Sequence, residues 1–213
     1  LHIAPLASNH RTSGLFYAVP GMVSALNEQG CYAALLATSS KGPFHEQQEF
    51  PIYYYRDLKS GINSLPVPFD SPDLIVFHST YIPVHAYYAW QGIKKNVPYI
   101  IVPHGGMTRG AQNLKRWKKW LANQVFFNRF VKNAKAIHCL THQEADDVML
   151  WGRPVFVVGN GVFIPSTTNM PITDQSKSFR IIFIGRLSIQ HKGLDMLVDA
   201  CGIIREKLIL NKT

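Results

Sequence analysis

Apolar runs of strand length alternate with helix-patterned segments along almost the whole of this 213-residue chain, and that alternation restricts the fold more than any other feature. Short runs apolar throughout, separated by amphipathic stretches, are what a parallel sheet with crossover helices requires. Strands are predicted at His2–Pro5, Tyr32–Ala37, Ile52–Tyr55, Leu74–His78, Tyr99–Val102, Ala136–Leu140 and Val155–Val158. Helices are predicted at Leu15–Gln29, closed by Gly30, and at Val84–Lys95, Leu114–Asn133 and Gln143–Trp151. Thr141 is placed to cap the last, with Glu144 three residues on as its capping-box partner. The expected fold class is therefore α/β, a Rossmann-like doubly wound parallel sheet of about seven strands.

From Ile164 to Lys177 the pattern fails, and Pro, Ser, Thr and Asn dominate. That composition reads as an interdomain linker. The expected division is residues 1–163 as one domain, 164–178 as linker and 179–213 as the start of a second domain. The last segment holds one strand and one helix, too little to bury a core alone.

No apolar run reaches the roughly 20 residues of a membrane-spanning helix. The start, Leu1-His2-Ile3-Ala4-Pro5, lacks both a Met and the build of a signal peptide, and it reads as a strand already under way, so a trimmed N-terminus is expected. Cys31, Cys139 and Cys201 lie far apart with no His or Cys at metal-ligand spacing, and are expected to be buried reduced thiols of a cytosolic protein. The net charge of +9 is local. Between Asp73 and Glu144 there is no acidic residue but there are ten basic ones, Lys94, Lys95, Arg109, Lys115, Arg116, Lys118, Lys119, Arg129, Lys132 and Lys135. Charge gathered in one segment points to a surface with a partner.

Ligands of doubly wound sheets bind outside the carboxyl ends of the strands, so the loops leaving the strands are where chemistry is expected. The first, Ala7–Gly14, reads ASNHRTSG and enters a helix at Gly14, where backbone amides can approach an anion. The dinucleotide pattern G-x-G-x-x-G is absent, which argues against a nicotinamide cofactor. The second loop is Pro103-His104-Gly105-Gly106-Met107; a His at a strand end followed by two glycines opens onto a cleft and suits a sugar hydroxyl or a phosphate. The third is Gly159-Asn160-Gly161-Val162, whose Asn-Gly also makes an ordinary tight turn. Near the C-terminus, FIGRLSIQHKGLDMLVDA (Phe183–Ala200) follows an apolar strand predicted at Phe179–Ile184 and runs through Gly185-Arg186 and Lys192-Gly193 into an amphipathic helix. Two cations and two glycines converging near a helix N-terminus make a phosphate-binding turn.

These four segments, in this order and spacing, resemble the GT-B glycosyltransferases, in particular the retaining family-four type (glycosyl transferases group 1). The resemblance implies an acceptor-side domain followed by the opening strand and helix of a nucleotide-sugar-binding domain. It implies transfer of a sugar from a nucleotide-diphosphate sugar to a glycan acceptor, with retention, without a metal, and with no cofactor. His104 matches the "PHG" element and is implied as catalytic. Gly14, Arg186 and Lys192 are implied for the donor diphosphate. Ser13, Gly105, Gly106 and Asn160 are implied as cleft residues. Ser13 stands where the family carries the first of two glycines, and Phe163 where it carries an Asp. The glutamate pair of the family's second domain has no match here, so the chain alone is expected to have little or no transferase activity.

The segment Leu114–Lys132, LKRWKKWLANQVFFNRFVK, bears on the acceptor. At 100° per residue Leu114, Trp117, Trp120, Leu121, Val125, Phe127 and Val131 share an arc wide enough to pack on the sheet. Phe126 and Phe130 fall among Lys115, Lys119 and Arg129 on the other side, a mixture that suits an anionic membrane surface and a lipid-linked acceptor. Basic residues interleaved with aromatics also suit single-stranded nucleic acid, but no nucleic-acid module accompanies them, and none is expected as a partner. The expected setting is cytoplasmic, peripheral at the inner face of the membrane, in cell-surface polysaccharide synthesis. The alternative is a non-enzymatic peripheral membrane module with a vestigial cleft.

Overall fold

The computed structural model describes residues 1–6, 14–39, 49–162, 182–185 and 193–210, with side chains to residue 205. The chain divides into two compact units, Leu1–Ile164 and Pro165–Thr213. In the first, seven strands form one sheet: β1 (His2–Ala4), β2 (Leu35–Ala37), β3 (Ile52–Tyr54), β4 (Ile75–His78), β5 (Tyr99–Val102), β6 (Ala136–Cys139) and β7 (Val155–Val157). Their order is β3-β2-β1-β4-β5-β6-β7. Every pairing is parallel. The seven predicted strands are thus all present in the arrangement their continuous apolar character implied.

Helices α1 (Gly14–Glu28) and α2 (Pro83–Lys94) follow β1 and β4. Between β5 and β6 lie α3 (Arg109–Asn113), α4 (Arg116–Ala122), a π-helical turn (Asn123–Phe127) and α5 (Asn128–Lys132). Helix α6 (His142–Val148) precedes β7. Alternation along each strand gives the sheet two cores. Ile3, Leu36, Ile75, Phe77, Tyr99, Ile101, Ile137 and Cys139 face one way, beneath Tyr88 of α2 and Phe130 of α5. Ala4, Leu35 and Ala37 face the other way, beneath Phe16, Val19 and Val23 of α1. Each large apolar side chain so enclosed contributes roughly 1.5–3 kcal/mol.

Of the helix predicted over Leu114–Asn133, Arg116–Lys132 is helical throughout, but a π-helical turn interrupts it, and of the predicted packing face only Phe127 and Val131 are buried. Lys115 takes a left-handed conformation (φ 52°) that starts α4 afresh. Eight residues later the π-helical turn rotates the register, because i→i+5 bonding adds a residue to the turn. Phe127, Phe130 and Val131 consequently face the core at i, i+3 and i+4. Trp117, Trp120 and Val125 are 68%, 64% and 71% exposed.

In the second unit, α7 (Leu194–Leu210) matches the predicted helix. Of the strand predicted at Phe179–Ile184, residues 179–181 lie outside the described residues, and Ile182, Phe183 and Ile184 are in no strand. A strand needs a neighbour to bond its backbone, and none is present for this one among the described residues. The cysteines are all free, and Cys139 alone is fully buried; Cys31, just past α1, is exposed, contrary to expectation.

Candidate active site

Because all seven strands are parallel, their carboxyl ends share one edge. The chain moves from β1 outward to β3, then returns to place β4 on the other side of β1. The loops leaving β1 and β4 therefore diverge, and this point opens a crevice in doubly wound sheets. Gly14 begins α1 beyond β1, with open space where a Cβ would lie. Ser13 lies outside the described residues.

The loop after β5 forms the adjacent wall. His104 and Gly105 both have positive φ, 50° and 79°. Successive residues there reverse the chain within one turn, closed by the Gly106 N–H donating to the Pro103 carbonyl at 3.0 Å. Gly106 has no room for a side chain: a Cβ would stand 2.1 Å from Thr80 Oγ1 and 3.1 Å from the Pro103 carbonyl oxygen. Thr108 caps α3 by accepting from the Ala111 N–H at 3.3 Å. The Gln112 amide donates to the Gly106 carbonyl at 3.0 Å, and the Tyr81 hydroxyl bridges Gln112 at 2.7 Å and Asn123 at 3.0 Å.

Glu144, in α6 just after the neighbouring strand β6, anchors this loop. Thr141 Oγ1 accepts from the Glu144 N–H at 3.1 Å, as the capping box requires. The carboxylate goes elsewhere: Oε1 accepts from the Gly105 N–H at 2.6 Å and Oε2 from the Leu140 N–H at 2.9 Å. Glu144 is 5% exposed, so both backbone donors depend on it. Its buried carboxylate also adds to the burial that pushes the Cys139 thiol up to about 11.

A row of imidazoles runs from His104 into the sheet. His104 Nε2 lies 3.1 Å from His78 Nδ1, and His78 Nε2 lies 3.0 Å from His2 Nδ1. The register sets His2 opposite Val76, so His2 and His78 share the face that α1 covers. Burial is the main force lowering all three from the ordinary value of 6.5, His2 to about 3, His104 to about 4 and His78 well below. Neighbouring rings add repulsion, at His78 from His2, His104, His85 and His138. At neutral pH these rings are uncharged. His104 can therefore bond to a ligand, but it brings no cation to a phosphate. His138, at the end of β6, donates Nε2–H to the Val158 carbonyl at 2.8 Å. Among the described residues no group of three or more His, Cys, Asp or Glu could hold a metal ion.

His104, Gly105 and Gly106 thus lie together in the loop after β5, and Asn160 follows β7 along the same edge in an exposed loop. Arg186 and Lys192 lie outside the described residues. Phe130 is not a surface residue: it is 5% exposed and stacks on Tyr99 at 5.6 Å, which corrects its assignment to membrane contact. Phe126 is half-buried and lines a surface groove of about 190 Å³ with Trp90, Ile93, Val125 and Arg129. Lys115 is exposed, whereas the Lys119 ammonium turns inward to the Ala111 carbonyl and lies over the Tyr81 ring. Sequence reasoning missed Glu144 as a loop anchor and His78 and His2 altogether. A capping-box signal marked the first; nothing local marks the histidines, which are joined only by strand adjacency.

Residues 19–164 match the family model described as Glycosyltransferase Family 4. No curated protein matches the chain. The match covers more than half of the chain, and the chain belongs to this glycosyltransferase family.

Proposed function

We propose that this member of the family is the acceptor-side part of a retaining, metal-independent GT-B enzyme, which transfers a sugar from a nucleotide-diphosphate sugar to a lipid-linked glycan acceptor. The observation that supports this best is the loop Pro103–Met107. It is fixed by Glu144 and Gln112 at the carboxyl edge of the sheet and carries a partly exposed, neutral imidazole held against His78 of β4. Residues 179–213 would open the donor domain, and Gly14, Arg186 and Lys192 are the residues proposed to bind the donor diphosphate. Fixed cations there would stabilise the departing nucleotide diphosphate. Transfer from a panel of labelled nucleotide sugars to lipid-linked glycans, measured with the gene's full-length product, tests the reading. Absence of transfer from every donor, or undiminished turnover in His104→Ala, would sink it.

The membrane surface we propose differs from the one the periodicity suggested. Trp117, Trp120, Leu121 and Val125 are exposed beside Lys115, Arg116, Lys118 and Arg129. Indole rings among cations suit the headgroup region of an anionic bilayer. The neighbouring groove along Trp90, Ile93 and Phe126 would take part of the acceptor's lipid, placing the protein at the inner membrane face in cell-surface polysaccharide synthesis. Sedimentation with anionic vesicles should fall at least about tenfold in a Trp117→Ala, Trp120→Ala double variant, a loss of about 1.4 kcal/mol. Equal sedimentation would reject the assignment.

A further inference from the structure

The three imidazoles His104, His78 and His2 are joined head to tail, Nε2 to Nδ1 at each contact. A neutral imidazole has one N–H and one lone pair, so each contact needs a donor on one ring and an acceptor on the other. Head-to-tail joining couples the rings, since the nitrogen His78 uses toward His104 decides what it offers His2. Only two arrangements satisfy both contacts. In one, all three rings carry the proton on Nε2 and the bonds run inward from His104. In the other, all three carry it on Nδ1 and the bonds run outward from His2. Mixed states leave a contact with two donors or two lone pairs in a buried site, which is strongly disfavoured.

The two arrangements differ in intrinsic preference. A neutral histidine in water favours Nε2–H, so the inward arrangement places every ring in its preferred form, and the outward arrangement places none. Among the described residues the buried polar side-chain atoms lacking a partner are His85 Nδ1 and Arg153 Nε, so neither the second nitrogen of His104 nor that of His2 is a buried orphan, and His104 itself is partly exposed at the loop.

We propose that His104 Nε2–H donates to His78 Nδ1 and His78 Nε2–H donates to His2 Nδ1, so that His78 and His2 act as positioning residues holding the Nδ1 of the partly exposed His104 as a lone-pair acceptor for a substrate hydroxyl. The site then selects an O–H donor such as a sugar hydroxyl and offers nothing to a phosphate oxygen. Burial, which lowers all three rings, keeps a second proton from reversing this at neutral pH. The identity of the hydroxyl as a sugar's rests on the glycosyltransferase reading; the polarity of the row does not.

Long-range proton–nitrogen correlation spectra of the histidine-labelled chain at pH 7.5 test the polarity without any substrate. His138, fixed as Nε2–H by a carbonyl acceptor, serves as internal reference. The expected spectrum has His104, His78 and His2 each with Nε2 at the protonated limit and Nδ1 at the unprotonated limit. In His2→Phe the His104 Nε2 resonance should shift toward the unprotonated limit, although residue 2 does not touch that ring. His2→Asn, whose side-chain oxygen can stand in for Nδ1, should restore it. A His104 ring protonated on Nδ1, or His104 resonances unmoved by His2→Phe, would overturn the proposal. Should His2→Phe fail to fold, the wild-type spectrum alone decides. Limiting Nε2–H shifts in a protein that binds no sugar would leave the row standing and defeat the glycosyltransferase reading instead.

Discussion

Replacing Glu144 by Gln removes one acceptor and substitutes a donor at the point where two strand-end loops are tied together. The carboxylate accepts from Gly105 and from Leu140, at 2.6 and 2.9 Å, while 5% exposed. Glutamine can satisfy one of these N–H groups, but its amide nitrogen must then face the other. A buried donor left without an acceptor costs about 1–3 kcal/mol, and the bond that remains loses its charge assistance, about 1 kcal/mol. Relief of the carboxylate's own desolvation returns part of this. The expected net loss is about 2 kcal/mol. All four tryptophans, Trp90, Trp117, Trp120 and Trp151, lie in the first unit, so tryptophan fluorescence during urea unfolding reads that unit alone. With a slope of about 2 kcal/mol/M, the midpoint should fall by about 1 M. The Gly105 amide should also exchange its hydrogen faster. Thr141→Ala, which removes the cap and keeps the carboxylate, should cost about 1 kcal/mol and leave Gly105 protected. A midpoint for Glu144→Gln within about 0.2 M of the parent would refute the anchoring role.

Phe130→Ala should destabilise by about 3–5 kcal/mol and Trp117→Ala by less than about 0.5 kcal/mol; the opposite ranking in urea titrations would restore the unbroken helix phase. Acidification should weaken the fold: His2 and His85 sit at about 3 when folded against 6.5 ordinarily, so their contribution is complete above pH 6.5 and is lost as the pH falls toward 3. Each should cost on the order of 2 kcal/mol at pH 5, and a urea midpoint that does not change between pH 7.5 and pH 5 would contradict their burial as neutral rings. Gly106→Ala should cost about 1–3 kcal/mol through contact with Thr80, and Thr80→Ala should relieve part of it in the double variant, as a double-mutant cycle would show.

The strands were legible because parallel strands are short and apolar on both faces, and no other element imitates that here. Helix α1 and the loop Pro103–Met107 were legible for similar local reasons, a capped period and a His-Gly-Gly sequence at a strand end. The helix in Leu114–Asn133 was legible but its full packing face was not, because a single helical period runs across the π-helical turn, which no distinctive residue marks. Glu144 was seen as a cap but not as an anchor, since its second partner belongs to β5's loop, 39 residues earlier. His78 and His2, 76 residues apart, meet only because β1 and β4 are neighbours. Ser13, Arg186 and Lys192 lie outside the described residues, so the donor side of the proposed site still rests on sequence alone.

The placement of β1 between β2 and β4 also sets a timetable for the chain as it is made. Strand β2 follows within 37 residues, but β4 ends only at His78. At about 5–20 residues per second, the ribosome leaves one edge of the central strand open for several seconds after the other has its partner. Nascent chains arrested before Ile75 should therefore remain open to proteases at β1, and chains extended through Val102 should resist them. The sheet grows outward from its oldest strand, and its histidine row can close only when the two halves of the doubly wound pattern first meet.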